Sequence, residues 1–179
     1  MIAYAIVDPH YFWQHNDTYL QNLESADWVL YRDKSAINYS SRAKEFITLF
    51  QKRASKILLH QDFQLAAQLG VWGVHLTSQQ FDAIKYARKA GLYTIISTHS
   101  FDEIALAEQL GANAVTFSPI FHTPHKGQPK GVLLLKEAVE RFKINLIALG
   151  GIISKSEIKE VAKTKAFGFA SIRYFLPDL

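Results

Sequence analysis

SFDEIALAEQLGANAVTF, residues 100–117, contains one complete helix–strand unit. Ser100 followed three residues later by Glu103 predicts a capping box, in which each side chain satisfies a backbone N–H at the start of a helix. Gly111 predicts the end of that helix, because glycine readily adopts the left-handed conformation found there. The apolar segment Asn113–Phe117 then predicts a short strand. The same unit recurs along the chain, and this repetition predicts the fold.

Short apolar strands alternate with helical patterns from one end of the chain to the other. The predicted strands are Ile2–Val7, Trp28–Arg32, Ile57–Leu59, Gly73–Leu76, Tyr93–Ile96, Asn113–Phe117, Leu146–Leu149 and Phe167–Ile172. Most are apolar throughout, which is typical of a parallel sheet covered by helices. A count of eight predicts an α/β fold of the (β/α)8 TIM-barrel type. No GxGxxG or GxxxxGK[ST] follows the first strand, which argues against the common nucleotide-binding folds.

The helices between these strands are expected to begin at polar caps. Ser78 is expected to cap a helix that runs to Ala90, and Ser154 with Glu157 predicts a second capping box. Asp8–Pro9 is expected to end the first strand.

The chain has 179 residues, which predicts a single barrel domain over 1–179, well below the ~250 residues typical of this fold. Few residues follow the eighth strand, so we expect a minimal barrel with a truncated last helix. A homodimer is one arrangement in which a partner subunit would cover the last face.

Composition limits the classes of function. Hydrophobic residues make up 49% and charged residues 20%, as in globular proteins, and the absence of cysteine excludes disulfides, thiol nucleophiles and cysteine zinc sites. No apolar run approaches the roughly 20 residues of a membrane span, and the start lacks a signal peptide, so we expect a cytoplasmic protein without a membrane partner. The net charge of +4 suits a small anionic ligand. Nucleic acid is not expected as a partner, because no nucleic-acid-binding motif is present.

A long cationic loop, Ser118–Lys130, follows the sixth strand. It contains three prolines together with His122, Thr123, His125 and Lys126. Long loops in compact domains tend to be functional, and a phosphate-bearing ligand would suit this one. The alternative is a solvated surface loop.

In a barrel of this type the active site lies at the carboxyl ends of the strands. This rule gathers polar residues that are scattered along the chain. They are Asp8, Arg32, Lys34, His60, Gln61, His75, Thr77, Ser97, Thr98, His99, the long loop, Gly150, Gly151 and Arg173.

Gly150 and Gly151 predict a phosphate site, because backbone N–H groups without a neighbouring side chain can approach an anion. Arg173, after the eighth strand, would add a charge-assisted contact. The alternative is a tight turn with a solvated arginine. Arg32 and Lys34 lie two residues apart, so both would face the site, unless they form surface ion pairs with Asp33 or with helix carboxylates.

The candidate acid–base residues are His99, His122 and His125, since imidazole titrates near neutrality and loop positions are accessible. His75 lies inside an apolar strand and is expected to be a hydrogen-bonded core residue instead.

Several segments resemble the thiamine phosphate synthase and thiazole tautomerase family. They are YRDK (Tyr31–Lys34), LGVWGVHL (Leu69–Leu76), STHS (Ser97–Ser100), EIALAEQLGANAV, FSPIFHTPHKG and IALGGI (Ile147–Ile152). The resemblance implies a barrel that binds a small phosphorylated thiazole. Synthases of this family join it to a hydroxymethylpyrimidine pyrophosphate with Mg²⁺, and tautomerases aromatise a carboxythiazole phosphate without metal. By position, the resemblance implies contacts with pyrophosphate for Arg32, Lys34, Ser97, Thr123 and Lys126, and with the thiazole phosphate for Gly150 and Gly151.

The chain departs from the synthase pattern at several positions, two of which, Gln61 and Gln80, resemble the positions of its metal ligands. His60–Gln61 replaces an asparagine–aspartate pair, Gln80 stands where an acidic residue is expected, and Leu30 replaces a glutamine. A neutral amide is a poor substitute for carboxylate on Mg²⁺. The tautomerase histidine falls at Pro119, next to His122. We therefore favour a tautomerase-like function without cofactor or protein-held metal. A Mg²⁺-dependent synthase and a non-catalytic binding or regulatory protein are the alternatives.

Overall fold

The computed structural model describes residues 1–14, 17–50 and 55–177. Eight parallel strands close into a barrel in which each strand pairs with the next along the chain and the last pairs with the first. They are β1 (Ile2–Ile6), β2 (Trp28–Tyr31), β3 (Lys56–His60), β4 (Gly73–Leu76), β5 (Tyr93–Thr98), β6 (Ala114–Phe117), β7 (Asn145–Leu149) and β8 (Gly168–Ser171). The predicted (β/α)8 barrel is confirmed, and every predicted strand overlaps the observed one.

The described residues form eight α-helices around the strands. They are α1 (Pro9–Trp13), α2 (Asp17–Glu24), α3 (Tyr39–Phe50), α4 (Phe63–Gln68), α5 (Ile84–Lys89), α6 (Phe101–Gln109), α7 (Gly131–Arg141) and α8 (Lys155–Lys163). Helix α1 is absent from the sequence-based expectation. Asp8 caps it by accepting a hydrogen bond from the backbone N–H of His10, and Pro9 occupies the first helical position, which suits its fixed φ.

The predicted helix caps have three different outcomes. The capping box of Ser154 and Glu157 is confirmed at α8. At α6 the Ser100 hydroxyl accepts from the backbone of Glu103 as expected, but the Glu103 carboxylate accepts from His99 instead of Ser100. The expectation for Ser78 is wrong, because a 3-10 helix, Phe81–Ala83, precedes α5. The side-chain oxygen of Gln80 accepts hydrogen bonds from both the backbone N–H and the hydroxyl of Thr77 in the turn before this 3-10 helix.

Strand alternation divides the core into two layers. Successive strand residues point to opposite faces, so one set fills the barrel and the other packs under the helices. The buried inner residues are Tyr4, Ile6, Trp28, Leu30, Leu58, Ile95, Ala114, Ile147 and Ala170. The outer layer is larger and includes Tyr31, Phe46, Phe50, Ile104 and Phe117. Polar residues that continue the inner alternation therefore face the carboxyl-terminal mouth of the barrel.

An aromatic layer fills the amino-terminal end of the barrel. The ring centroids of Trp28 and Trp72 lie 4.8 Å apart, those of Trp72 and Tyr93 4.2 Å apart, and those of Trp28 and Phe167 5.7 Å apart. The Lys56 ammonium lies 4.5 Å from the centre of the Trp72 ring. The barrel interior is thus packed at this end.

The face beside β8 has no full helix of its own within the described residues. A 3-10 helix, Arg173–Phe175, follows β8. Helix α2 lies next to it, and the Asn22 amide donates a hydrogen bond to the Leu176 carbonyl at 3.4 Å. The homodimer stays a prediction. Within the described part of the chain, no helix is long and apolar enough to cross a bilayer.

Candidate functional site

A cavity of about 700 Å³ opens at the carboxyl ends of the strands. Ten of the predicted site residues line it. They are Arg32, Lys34, His60, Ser97, His99, Thr123, Lys126, Gly150, Gly151 and Arg173. His122 and His125 are exposed on the long loop and are not among the lining residues. Their proposed role in catalysis stays a prediction.

Three cations from two connections, Arg32, Lys34 and Lys126, form one side of the cavity, here called the cation side. None of them pairs with a carboxylate among the described residues. Asp33, between the two cations in sequence, turns away. Its Oδ1 accepts hydrogen bonds from the backbone and hydroxyl of Ser35 at 3.0 and 2.8 Å. The surface ion pairs with Asp33 that the sequence left open are therefore absent.

The cations crowd one another. Burial lowers the pKa of the half-buried Arg32 guanidinium. The neighbouring Arg32 charge lowers the pKa of the Lys34 ammonium, with smaller contributions from burial and from Lys126. Unpaired cations held together in this way are stabilised by a bound anion, because its charge offsets their mutual repulsion.

Gly150 and Gly151 form another part of the cavity lining, here called the glycine side. Their φ angles of 98° and 70° are in the left-handed region that side chains rarely adopt. A Cβ atom on Gly151 would lie 2.5 Å from the His122 carbonyl oxygen, and one on Gly150 would lie 2.9 Å from Pro119. Only glycine therefore allows the long loop to pack here.

Backbone hydrogen bonds fix the base of the long loop against this side. The N–H groups of Ile120 and Phe121 donate to the carbonyls of Leu149 and Gly150 at 2.9 and 3.0 Å. At the other end of the loop, Lys130 donates to the Pro119 carbonyl at 2.9 Å. The loop is thus a fixed wall of the cavity at both of its ends.

The connections after β7 and β8 meet on the glycine side. The Ser171 hydroxyl donates to the Ile152 carbonyl at 2.6 Å and accepts from the backbone N–H of Tyr174 at 3.1 Å. No acceptor among the described residues takes the backbone N–H groups of Gly151 and Ile152. Available N–H groups beside Arg173 give this side the chemistry of a phosphate site.

His75 lies at the floor of the cavity and is 3% exposed. Its Nδ1 is 3.0 Å from the Tyr4 hydroxyl, and its Nε2 is 3.1 Å from the Ser97 hydroxyl. Burial, followed by the nearby His60 and Arg32, lowers the pKa of His75 to about 3. It is therefore the neutral, hydrogen-bonded histidine that the sequence predicts, but it also contacts the cavity.

His60 neighbours His75 across the β3–β4 pair. Burial, then the charges of Arg32 and Lys34, lowers the pKa of His60 to about 4. A neutral imidazole at the edge of the cation side can donate or accept a hydrogen bond but adds no charge near neutral pH.

Among the three candidate acid–base histidines, only His99 lines the cavity. Its Nδ1 lies 3.1 Å from the Ser118 carbonyl oxygen and 3.3 Å from the Ser118 hydroxyl. A carbonyl can only accept, so this contact favours the tautomer with hydrogen on Nδ1. Nε2 then keeps a lone pair that can accept a proton.

The donors around the cavity do not fit a protein-held Mg²⁺ site. The described residues contain no cluster of three or more carboxylates or histidines that could hold a metal ion. Asp8 is the one acidic residue that lines the cavity, and it caps α1. Gln80 is hydrogen-bonded through its oxygen to Thr77 and through its nitrogen to the Gln61 carbonyl. The Gln80 amide thus holds the connections after β3 and β4 together.

The alternation of β5 and β6 identifies residues that the sequence reading misplaced or missed. Ser118 follows the inward-facing Ala114 by four residues and lines the cavity. Thr98, at the opposite alternation from Ser97, is fully buried and donates to the Thr116 carbonyl. Continuing the period of two beyond each strand end would have identified both orientations.

Comparisons with known proteins give a family match and a similar solved fold. Residues 3–175 match the family model described as thiamine monophosphate synthase. A putative thiamine-phosphate synthase 2 of Aquifex aeolicus is 36% identical over 137 residues, 75% of this chain and 73% of that protein. A thiamine-phosphate synthase of Nitrosococcus oceani is 31% identical over 170 residues, covering 88% and 77%. The solved thiamine phosphate pyrophosphorylase of Pyrococcus furiosus superposes with a TM-score of 0.82 at 26% identity, covering 96% of this chain and 85% of that one.

Proposed function

Because this chain belongs to the thiamine monophosphate synthase family, we propose that it joins a thiazole phosphate to a hydroxymethylpyrimidine pyrophosphate. Relatives that are named thiamine-phosphate synthase support this reaction over tautomerisation. The observation that carries the proposal is one cavity of about 700 Å³ lined both by three cations and by glycines with available backbone N–H groups. A joining reaction needs both, since each substrate brings its own phosphate group.

The two sides differ in what they would bind. The glycine side offers backbone N–H groups and Arg173, which suit the single phosphate of the thiazole. The cation side offers Arg32, Lys34 and Lys126, which suit the higher charge of a pyrophosphate. The cavity lining also includes the apolar residues Ile6, Leu30, Leu149 and Ile172, against which two small rings would pack.

In the proposed reaction the thiazole nitrogen forms a C–N bond to the methylene carbon of the pyrimidine. The bond from that carbon to the pyrophosphate oxygen breaks, and pyrophosphate leaves with the electron pair. The resemblance implies Mg²⁺ at the leaving group, but the donor set described above does not fit it, and no step is assigned to a metal. Arg32, Lys34 and Lys126 would stabilise the charge that develops on the leaving oxygen.

Tautomerisation of a carboxythiazole phosphate is the second candidate. It is favoured by the amides of Gln61 and Gln80 at the positions that resemble metal ligands. His99, with Nε2 available, would move the proton, since it lines the cavity and His122 and His125 do not. A non-catalytic thiazole-phosphate binder would use the same glycine side.

The test is to incubate the purified protein with both substrates, with and without Mg²⁺, and to follow thiamine phosphate by chromatography. Product that is lost in Arg32→Gln and kept in Lys159→Gln, an exposed cation on α8, would support the joining reaction. If the protein aromatises the carboxythiazole tautomer but does not form thiamine phosphate, the tautomerase would replace the proposed joining reaction. Binding of the thiazole phosphate without either reaction would leave a binder.

A further inference from the structure

Tyr4, His75 and Ser97 form a hydrogen-bonded chain from the barrel interior to the cavity. Tyr4 is fully buried, His75 is 3% exposed, and Ser97 is half-buried and lines the cavity. The Tyr4 hydroxyl lies 3.0 Å from His75 Nδ1, and the Ser97 hydroxyl lies 3.1 Å from His75 Nε2. Tyr4 thus contacts no ligand, and it reaches the cavity only through the other two residues.

The positions of the hydrogens in this chain follow from what each group can satisfy. His75 Nδ1 is the only hydrogen-bond partner of the Tyr4 hydroxyl among the described residues. If Nδ1 carried the hydrogen, the hydroxyl hydrogen of Tyr4 would be buried without an acceptor, which is costly. If Tyr4 donates to Nδ1 instead, the hydrogen of His75 lies on Nε2 and points to Ser97. The hydroxyl hydrogen of Tyr4 and the hydrogen on Nε2 then each have an acceptor.

Thr116 is a second neighbour of Nε2. Its hydroxyl oxygen lies 3.4 Å away, farther than that of Ser97. The hydrogen on Nε2 thus meets two hydroxyl oxygens, and Ser97 is the nearer acceptor. The buried His75 stays neutral in this arrangement, as its pKa near 3 requires.

We propose that Tyr4 and His75 are positioning residues that fix Ser97 as a hydrogen-bond donor into the cavity. The oxygen of Ser97 accepts from Nε2, so its own hydrogen faces the ligand. Ligand atoms that accept, such as a phosphoryl oxygen or an unprotonated ring nitrogen, are favoured over amines. The contact between Ser97 and a pyrophosphate oxygen rests on the proposed function. The direction of the hydrogen bonds is independent of it.

Nitrogen-15 NMR of the histidine-labelled, ligand-free protein tests the direction. We expect a neutral His75 with hydrogen on Nε2 from pH 5 to 8. Tyr4→Phe removes the donor to Nδ1 and should give a mixture of tautomers. Tyr93→Phe is the matched control, because its hydroxyl lies at the other end of the barrel, near Asn145, and its loss should leave the His75 signals unchanged. Hydrogen on Nδ1 in the wild type would overturn the proposal.

Titration with inorganic pyrophosphate tests the effect on the ligand. Tyr4→Phe and Ser97→Ala should each weaken binding about 5- to 10-fold, the loss of roughly one hydrogen bond. The double variant should bind no more weakly than Ser97→Ala, because both changes remove the same donor. Additive losses would overturn the positioning role. If the wild type does not bind pyrophosphate, the proposed leaving-group site fails, and the NMR result still decides the direction.

Discussion

The cation side and the glycine side would bind an anion by different physical means. On the cation side, the neighbouring Arg32 charge lowers the pKa of Lys34, with smaller contributions from burial and from Lys126, so we expect affinity to depend on charge. On the glycine side, the backbone N–H groups lie where the long loop packs so closely that a Cβ atom at Gly150 or Gly151 would clash with it. Affinity there should therefore depend on the shape of the backbone. Substitutions on the cation side should therefore alter binding more than folding, and substitutions on the glycine side should alter both.

The largest effect is expected for Gly151→Ala. The new Cβ would meet the His122 carbonyl at 2.5 Å and hold a φ of 70°, so the long loop must move. We expect phosphate binding to fall by more than about 100-fold and the free energy of unfolding to fall by about 3 kcal/mol or more. Calorimetric titration with inorganic phosphate and urea denaturation measure the two effects.

Gly111→Ala is the matched control for this change. Gly111 has a φ of 81°, but a Cβ there would meet no atom within 4 Å. It should cost about 1–2 kcal/mol from backbone strain alone and leave phosphate binding intact. Equal effects at the two glycines would mean that the close approach of the loop is unimportant.

Arg32→Gln should weaken pyrophosphate binding about 10- to 100-fold, because a charge-assisted contact is lost. Stability should stay level or rise, since the half-buried guanidinium has no carboxylate partner among the described residues. The remaining affinity should depend less on ionic strength. Lys159→Gln on α8 is the control for charge alone. An equal loss of pyrophosphate affinity there would mean that binding depends on the net charge of the protein and not on the cation side.

His60 reports on the same side through its protonation. Its pKa of about 4 lies below the ordinary value of 6.5, so between these values the unfolded chain binds more protons than the folded one. The free energy of unfolding should therefore be highest above pH 6.5 and fall as the pH drops toward 4. NMR titration should give a midpoint near 4 that rises in Arg32→Gln and when pyrophosphate binds. An unchanged midpoint in Arg32→Gln would contradict the electrostatic contribution of Arg32.

The smallest effect on binding is expected for Ser154→Ala. It removes the capping box of α8, which follows the glycine side, and should lower the free energy of unfolding by about 1 kcal/mol. Phosphate affinity should change less than about twofold, because the loop is held by its own hydrogen bonds to Leu149 and Gly150. Ser100→Ala on α6 provides the comparison. A large loss of phosphate affinity in Ser154→Ala alone would mean that α8 determines the conformation of the long loop.

Periodicity predicted the barrel because each strand and helix carries its own local signal. Asp8–Pro9 shows where a local signal is ambiguous, since the same pair can end a strand and begin a helix. The cap predicted at Ser78 failed because the side chain of Gln80, two residues later, competes for the same turn.

The site was predictable where strand alternation continues into it, as at Arg32, Lys34 and Ser97. It was not predictable in the long loop, because no period determines which way His122 and His125 point. The absence of an ion pair at Arg32 was also hidden, since Asp33 is adjacent in sequence and is held by Ser35 in the fold.

The aromatic layer at the amino-terminal end has a kinetic consequence. With Trp28, Trp72 and Tyr93 packed across the barrel, ligands enter and leave only by the mouth where Lys34 and Lys126 lie. The cations attract every anion that approaches, so association should be fast at low ionic strength and slow as salt is added. The same cations attract an anion that leaves the cavity through this mouth and should slow its release. If the proposed reaction takes place, released pyrophosphate should therefore compete with the next substrate, and turnover should slow as it accumulates.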